Sequence, residues 1–368
     1  MNGFHAFLRR KNIVFSAKRY FIDAMGAMAQ GLFCTLLVGT ILNTMGTQFH
    51  IPFLQTVIVT LGKGEGAVGY TIGGLASAMV GPGMAVAIGN ALQCPPMVLF
   101  SLIPVGYATN AMGGAGGPLA VFFVAILASE VGKAVSKETK IDILVTPIVT
   151  ILAGIGFAAL IAAPVGAAAA AFGKAIMWAT ELRPFFMGII VSVVVGVVLT
   201  LPISSAAICA ALGLTGLAGG AAVAGCCAQM VGFAVMSFRE NRWGGLVAQG
   251  LGTSMLQMGN IVRNPKIWIP PTLAAAVTGP IATCVFHLQM NGAAVSSGMG
   301  TCGLVGQIGV YSGWVSDVEA GLKTGISSMD WLGLLLISFV LPAVLTWLFS
   351  LPMRKRGWIG EGDLKLDL

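Results

Sequence analysis

Charge is what this sequence is most short of. Only 9% of its 368 residues are charged, while 57% are hydrophobic. A soluble domain carries roughly 25% charge. So little charge excludes a fully water-covered surface and indicates an all-α polytopic membrane protein. An outer-membrane barrel would show short alternating segments, whereas the apolar runs here are continuous, with mean hydropathy +0.91. Catalytic signatures are missing as well: no phosphate-binding P-loop, no His-Glu-x-x-His and no Gly-x-Ser-x-Gly occurs. The cysteines at 34, 94, 209, 226, 227, 284 and 302 sit in or beside apolar runs. The adjacent pair Cys226 and Cys227 suits neither a disulfide framework nor a zinc site, so all seven read as small packing residues. Neither metal nor cofactor is expected. The N-terminus lacks an unbroken apolar core ahead of a small-residue cleavage site, so no cleavable signal peptide is expected.

What charge there is sums to +7 and is clustered. The groups are Arg9, Arg10, Lys11, Lys18 and Arg19; Lys133, Lys137 and Lys140; Arg239 and Arg242; Arg263 and Lys266; and Arg354, Lys355 and Arg356. Short basic loops and tails stay in the cytoplasm. The pattern predicts a multi-pass protein of the inner or plasma membrane with both termini inside, and gives no nucleic-acid signal. Residues 1–22 are expected to form a cytoplasmic amphipathic helix lying in the interface, with Phe4, Phe7, Leu8, Phe15 and Ile22 on one face that Lys11 and Lys18 interrupt. A span needs about 20 apolar residues. Candidate spans fall near 24–45, 51–62 joined to 67–93, 95–112, 116–135, 143–171, 185–201, 203–236, 244–262, 268–290, 292–313 and 331–352. Several are too short or too long, so about ten true spans plus re-entrant hairpins are expected. A membrane domain over 23–350 is followed by a tail at 351–368.

The stretch from Asn260 to Gly313 concentrates the unusual features. After a basic loop and an apolar run come His287, Gln289 and Asn291, and then glycines at 292, 298, 300, 303, 306, 309 and 313. Polar side chains beside irregular backbone at bilayer depth are tolerated only where they line a cavity or are buried in protein. In transporters such broken segments hold solute near the midplane. A second interruption, Asn110 to Pro118, reads either as part of such a site or as a tight turn between spans. Candidate substrate-binding residues are therefore Asn110, Gly114, Gly116, His287, Gln289, Asn291, Gly298 and Gly300, converging on one mid-membrane cavity. Glu130 and His287 are the candidate catalytic groups; Glu130 also reads as a membrane-edge carboxylate paired with a loop lysine, and His287 as a buried histidine. Amides recur in apolar context at 90, 93, 110, 229, 249, 257, 260, 289, 291 and 307, and amides suit uncharged polyhydroxy ligands.

The stretches RNPKIWIPPTLAAAVTGPIATCVF and NGAAVSSGMGTCGLVGQIG, with KIDILVTPIVTILAG after Glu130, resemble the membrane subunit IIC (EIIC) of bacterial phosphoenolpyruvate-dependent sugar phosphotransferase systems. The resemblance is closest to the branch that includes the perfringolysin regulator, and covers roughly 25–350. It implies a glucose-superfamily EIIC-like fold and a homodimer in membrane lipid, with an interface half near 23–172 and a transport half near 173–350. It also implies inward movement of a sugar or sugar alcohol, coupled to phosphorylation by a separate cytoplasmic IIB protein. The Gly-Ile-Thr-Glu-Pro type motif of better-known members, whose glutamate contacts a sugar hydroxyl, is absent here. Two other readings stay open: a membrane sensor that regulates gene expression, and an ion-coupled secondary transporter using Glu130 and His287.

Overall fold

A computed structural model describes residues 3–62 and 67–366. Residues 1–2 of the expected N-terminal helix, the joint at 63–66 and residues 367–368 of the tail lie outside the described residues. The chain forms two compact units, Met1–Ala168 and Ala169–Leu368.

In the first unit, α1 spans Gly3–Arg10 and stops where Asn12 turns left-handed (φ 53), a conformation Asn tolerates better than most residues. The stretch expected as one helix over 1–22 is thus two pieces, because α2 (Arg19–Thr47) begins inside it. Arg10 pairs with Glu138 at 2.7 Å, and Lys11 pairs with Glu138 and donates to the Ser136 carbonyl. These contacts fix α1 to the loop at 136–141. The apolar run at 51–62 does not span. Pro52–Gln55 is one helical turn, and β1 (Val59–Leu61) pairs antiparallel with β2 (Val68–Tyr70), Val59 opposite Tyr70. Val57, Ile58, Val59 and Thr60 are all β-branched and favour extended backbone.

Helices α3 (Ile72–Ala78) and α4 (Val80–Ala91) are bent by 52° about Met79. Pro82 lies in the first turn of α4, where a missing N–H breaks no bond. Then α5 (Pro96–Gly113) and α6 (Gly117–Val135) double back at Gly114 (φ 51). The return places Gly132 so near Val98 that a Cβ would stand 2.7 Å from the valine Cγ1. The interruption at Asn110–Pro118 is therefore a tight turn between antiparallel helices. Helices α4 and α5 touch backbone to backbone: a Cβ on Gly106 would stand 2.4 Å from the Gly81 carbonyl oxygen. Only small residues permit that approach, and in lipid such packing replaces hydrophobic drive. Met84, Ile88, Leu102, Val105 and Phe122 fill the core. Helix α7 (Asp142–Thr180) then carries the chain past the unit boundary.

In the second unit the elements are α8 (Pro184–Thr200), α9 (Ser205–Ala211), α10 (Gly216–Met236) and α11 (Phe238–Val247). They are followed by α12 (Met258–Arg263), α13 (Pro265–Val285), α14 (Val305–Glu319) and α15 (Ser328–Lys355). Helix α10 is the centre: every residue from Ala218 to Ala234 is buried, as expected of a helix with no polar face. Ser192 on α8 donates to the Ala275 carbonyl on α13 at 2.8 Å, a polar tie between apolar helices. Three expected spans are broken. The run 203–236 divides at Gly213 and Gly216, both with positive φ. The run 244–262 breaks at Thr253, which is extended (φ −158, ψ 141). The run 292–313 begins as short 3-10 turns before α14.

Six helical segments among the described residues are long and apolar enough to cross a membrane, or seven if α3 and α4 count as one bent span. One of the six, Pro96–Val135, is the doubled-back pair α5 and α6. The fold is that of an all-α polytopic membrane protein. Beyond α15 the chain turns back on its own unit: Asn241 and Gln257 donate to the Leu364 carbonyl at 2.7 and 3.0 Å, and Asn260 donates to that of Lys365 at 2.8 Å.

Candidate functional site

In the second unit two stretches of broken backbone meet α10 at and below its middle. In the first, around Ala248–Gln257, Gly250 faces Ala234. In the second, Gly298–Leu304, three residues have positive φ: Gly300 (54), Gly303 (50) and Leu304 (60). A Cβ on Gly300 would stand 2.6 Å from that of Cys226, and Thr301 donates to the Met230 sulfur at 3.6 Å. Gly298 abuts α9, where the Ser205 hydroxyl donates to its carbonyl at 2.7 Å. Irregular backbone here is surrounded by protein, the setting in which membrane proteins tolerate it.

Amides cluster at the same level, and most serve the fold. The Gln229 side-chain carbonyl accepts from Trp268 Nε1 at 3.0 Å and from Thr200 at 3.3 Å, while its amide donates to Thr272 at 3.2 Å. Thr200 and Ser254 share a further bond of 2.8 Å. Gln257 donates to Gln249, and Asn260 to Gln257. These amides pair with one another and with the tail. Gln307 differs. Its Nε2 donates to Ser338 at 2.9 Å, but its buried Oε1 has no partner among the described residues, and leaving such an acceptor empty costs about 1–3 kcal/mol.

A cavity of about 350 Å³ opens where α13 ends, a size within the range of small-molecule sites. His287, Gln289, Asn291, Trp314, Asp317, Lys323 and Asp330 contribute to its wall. The segment 287–292 is held against the start of α10 by paired bonds between Gly216 and Met290. His287 is left-handed (φ 44) and turns the chain out of α13. Asn291 donates to the Asp317 carboxylate at 2.8 Å and to the Gln289 side chain at 3.1 Å. Lys323 pairs with Asp330 at 2.7 Å and lies over the Trp314 ring, 5.2 Å from its centre. The wall thus combines two aspartates, one lysine and one histidine with two amides.

The expected residues thus separate into groups. His287, Gln289 and Asn291 share the cavity. His287 follows the end of the 21-residue α13, so the cavity lies at the far end of that helix from Lys266, roughly 30 Å away along the axis. Gly298 and Gly300 belong to the broken backbone and do not line the cavity. Asn110, Gly114 and Gly116 lie in the first unit at the α5–α6 turn: Asn110 fills the space beside Gly117, and Gly116 abuts the Val165 carbonyl. Glu130, also in the first unit, accepts from Lys133 at 2.9 Å and from the Tyr20 hydroxyl at 3.1 Å. Lys133 is almost fully buried and donates to the carbonyls of Asn12 and Leu92 as well. Sequence reasoning missed Trp314, Asp317, Lys323 and Asp330. Their signal was a charged stretch, WVSDVEAGLKTGISSMDW, which falls between the expected spans at 292–313 and 331–352.

A family model described as the phosphotransferase system EIIC matches residues 22–366, nearly the whole chain. The chain belongs to that family. No curated protein and no solved structure matches it. Membership supports a sugar permease of a phosphotransferase system in general, with a sugar substrate and a IIB partner. In this EIIC chain the broken backbone and the polar cavity lie together in the second unit.

Proposed function

We propose that this protein carries a sugar or sugar alcohol inward while a separate IIB protein phosphorylates it, and that the cavity at 287–330 receives the sugar. The carrying observation is the cavity itself. It sets carboxylate and amide acceptors and donors around an aromatic wall, as a polyhydroxy ligand requires. By the positive-inside rule, Lys266 and Lys355 mark the cytoplasmic ends of α13 and α15. The cavity, at their opposite ends, then faces outward and takes solute from outside. From there the path inward leads past the broken segment at 298–304, where the unpaired Gln307 Oε1 offers an acceptor for a sugar hydroxyl. Glu130, held by Lys133 and Tyr20, is assigned to docking the N-terminal segment and not to chemistry. The β1–β2 ribbon and the turn before it expose Phe49, Phe53, Val57 and Ile58, an apolar patch that suits a homodimer contact built from the first unit.

The test is ligand affinity. A thermal-shift screen against sugars and sugar alcohols identifies the ligand, and Asn291→Ala and Asp317→Asn are then compared with the parent. Losing one hydrogen bond costs about 0.5–1.5 kcal/mol, or about 1.5–3 kcal/mol when a charged group is involved. Asn291→Ala is therefore expected to weaken binding roughly three- to tenfold, and Asp317→Asn tenfold or more. Folded variants that bind like the parent would place the sugar elsewhere.

A further inference from the structure

A second cavity, of about 520 Å³, lies at the opposite end of the second unit, where α10 and α15 finish. Its walls are apolar: Val235 and Met236 from α10, Leu246 from α11, and Trp347 and Leu351 from α15. Its rim carries Arg239, Arg354 and Lys355. Arg354 is neutralised by Glu240 at 3.1 Å and also donates to the Met236 carbonyl at 2.9 Å. Arg239 and Lys355 are both exposed and form no ion pair among the described residues. Two cations therefore stand uncompensated above an apolar slot. Trp347 is 49% exposed and lies seven residues before Arg354 on the same helix, so the slot runs about 10 Å along α15.

We propose that this slot binds an anionic phospholipid. A phosphate headgroup would sit between Arg239 and Lys355, and an acyl chain would run along Trp347 and Leu351. The two halves of the site require different things. The cations need a headgroup with net negative charge, which a zwitterionic lipid does not supply because its own ammonium balances its phosphate. The apolar walls need a chain that free phosphate does not have. Basic pockets between helices at a membrane surface recognise lipid headgroups in this way, and an aromatic residue at that level marks the interface. The ligand is distinct from the transported solute, and the cavity shares no residue with the sugar cavity.

The experiment uses the full-length protein, stripped of lipid in a non-ionic detergent and titrated with short-chain phosphatidylglycerol or phosphatidylcholine. Occupancy is read by native mass spectrometry. The parent is expected to prefer phosphatidylglycerol. Arg239→Gln is expected to reduce that preference roughly fivefold, and Arg239→Gln with Lys355→Gln about thirtyfold. Trp347→Ala is expected to weaken both lipids and leave the preference intact. If the double variant does not fold, Arg239→Gln alone carries the test, since its exposed side chain holds no other element. A preference unchanged by removing the cations would overturn the proposal. So would displacement of the lipid by millimolar inorganic phosphate, which would mean a simple anion site that makes no use of the apolar walls.

Discussion

Gly300 is where the second broken segment meets α10, and the energy of that contact can be worked from the structure. Replacement by alanine does two things. It places a side chain on backbone at φ 54, which costs about 1–2 kcal/mol for an L-residue. It also puts a methyl group 2.6 Å from Cys226 Cβ, 2.9 Å from Cys226 C and 3.0 Å from Cys227 N. Two of those atoms are backbone of the most buried helix, so they cannot swing away. Overpacking of this kind costs typically 1–3 kcal/mol. The sum is about 2–5 kcal/mol. Gly321 supplies the control: its φ is 71, yet nothing among the described residues lies within 4 Å of the added Cβ. Gly321→Ala carries the backbone term alone, about 1–2 kcal/mol. The assay is the unfolding midpoint of both variants in detergent, with sugar uptake in cells alongside. Gly300→Ala is expected to unfold well before Gly321→Ala and to abolish uptake. Equal midpoints would refute the close contact between segment 298–304 and α10, and with it the placement of the break at mid-helix.

Three more outcomes are expected. Lys11, with help from Arg10, holds the Glu138 carboxyl below its ordinary value of 4.5, so its contribution to docking α1 is complete above that value and is lost as pH falls through the depressed one; a spin label at Ala6 should become mobile on acidification, and Glu138→Gln should reproduce the mobility at neutral pH, whereas a pH-independent signal would discard the clamp. Cysteines placed at Lys137 and Lys355 should resist a membrane-impermeant reagent in intact cells, and labelling of either would reverse the orientation argued from charge. Paired cysteines at Phe53 or Ile58 should crosslink two protomers through the first unit, and crosslinks confined to second-unit helices would count against the dimer contact.

Composition made the class legible because a bilayer permits so few alternatives: unpaired backbone in lipid is too costly for anything but helices or closed barrels. The broken character of 292–304 was legible for the same reason, since its glycines cannot sustain a helix without neighbours. Other features were not. The stretch TVIVTL is as apolar as a span, and only its pairing with β2 makes it a strand. The Gly113–Pro118 run read either as part of a site or as a turn, because hydropathy does not register a chain reversal. At the cavity, Asn291 was readable from its position, but its partner Asp317 is 26 residues on and Asp330 further still. Their convergence depends on how α14 and α15 return, which no local pattern encodes. The amides at 229, 249, 257 and 260 misled for a similar reason: a polar group in an apolar run indicates that a partner exists, not whether that partner is a ligand or another side chain.

The returning tail ties the order of synthesis to the order of assembly. Gln257 and Asn260 are buried, and two of the carbonyls they donate to belong to Leu364 and Lys365. Those residues are made more than a hundred positions later, after α13, α14 and α15. Until then the broken segment at 248–263 holds polar groups whose partners do not yet exist, in surroundings where an unpaired polar group is costly. Segments made earlier can pack as they emerge, but this one completes its bonding only after residues 364 and 365 have been made. A chain truncated after Arg356 would keep α1 to α15 and still lack the acceptors that finish the first break.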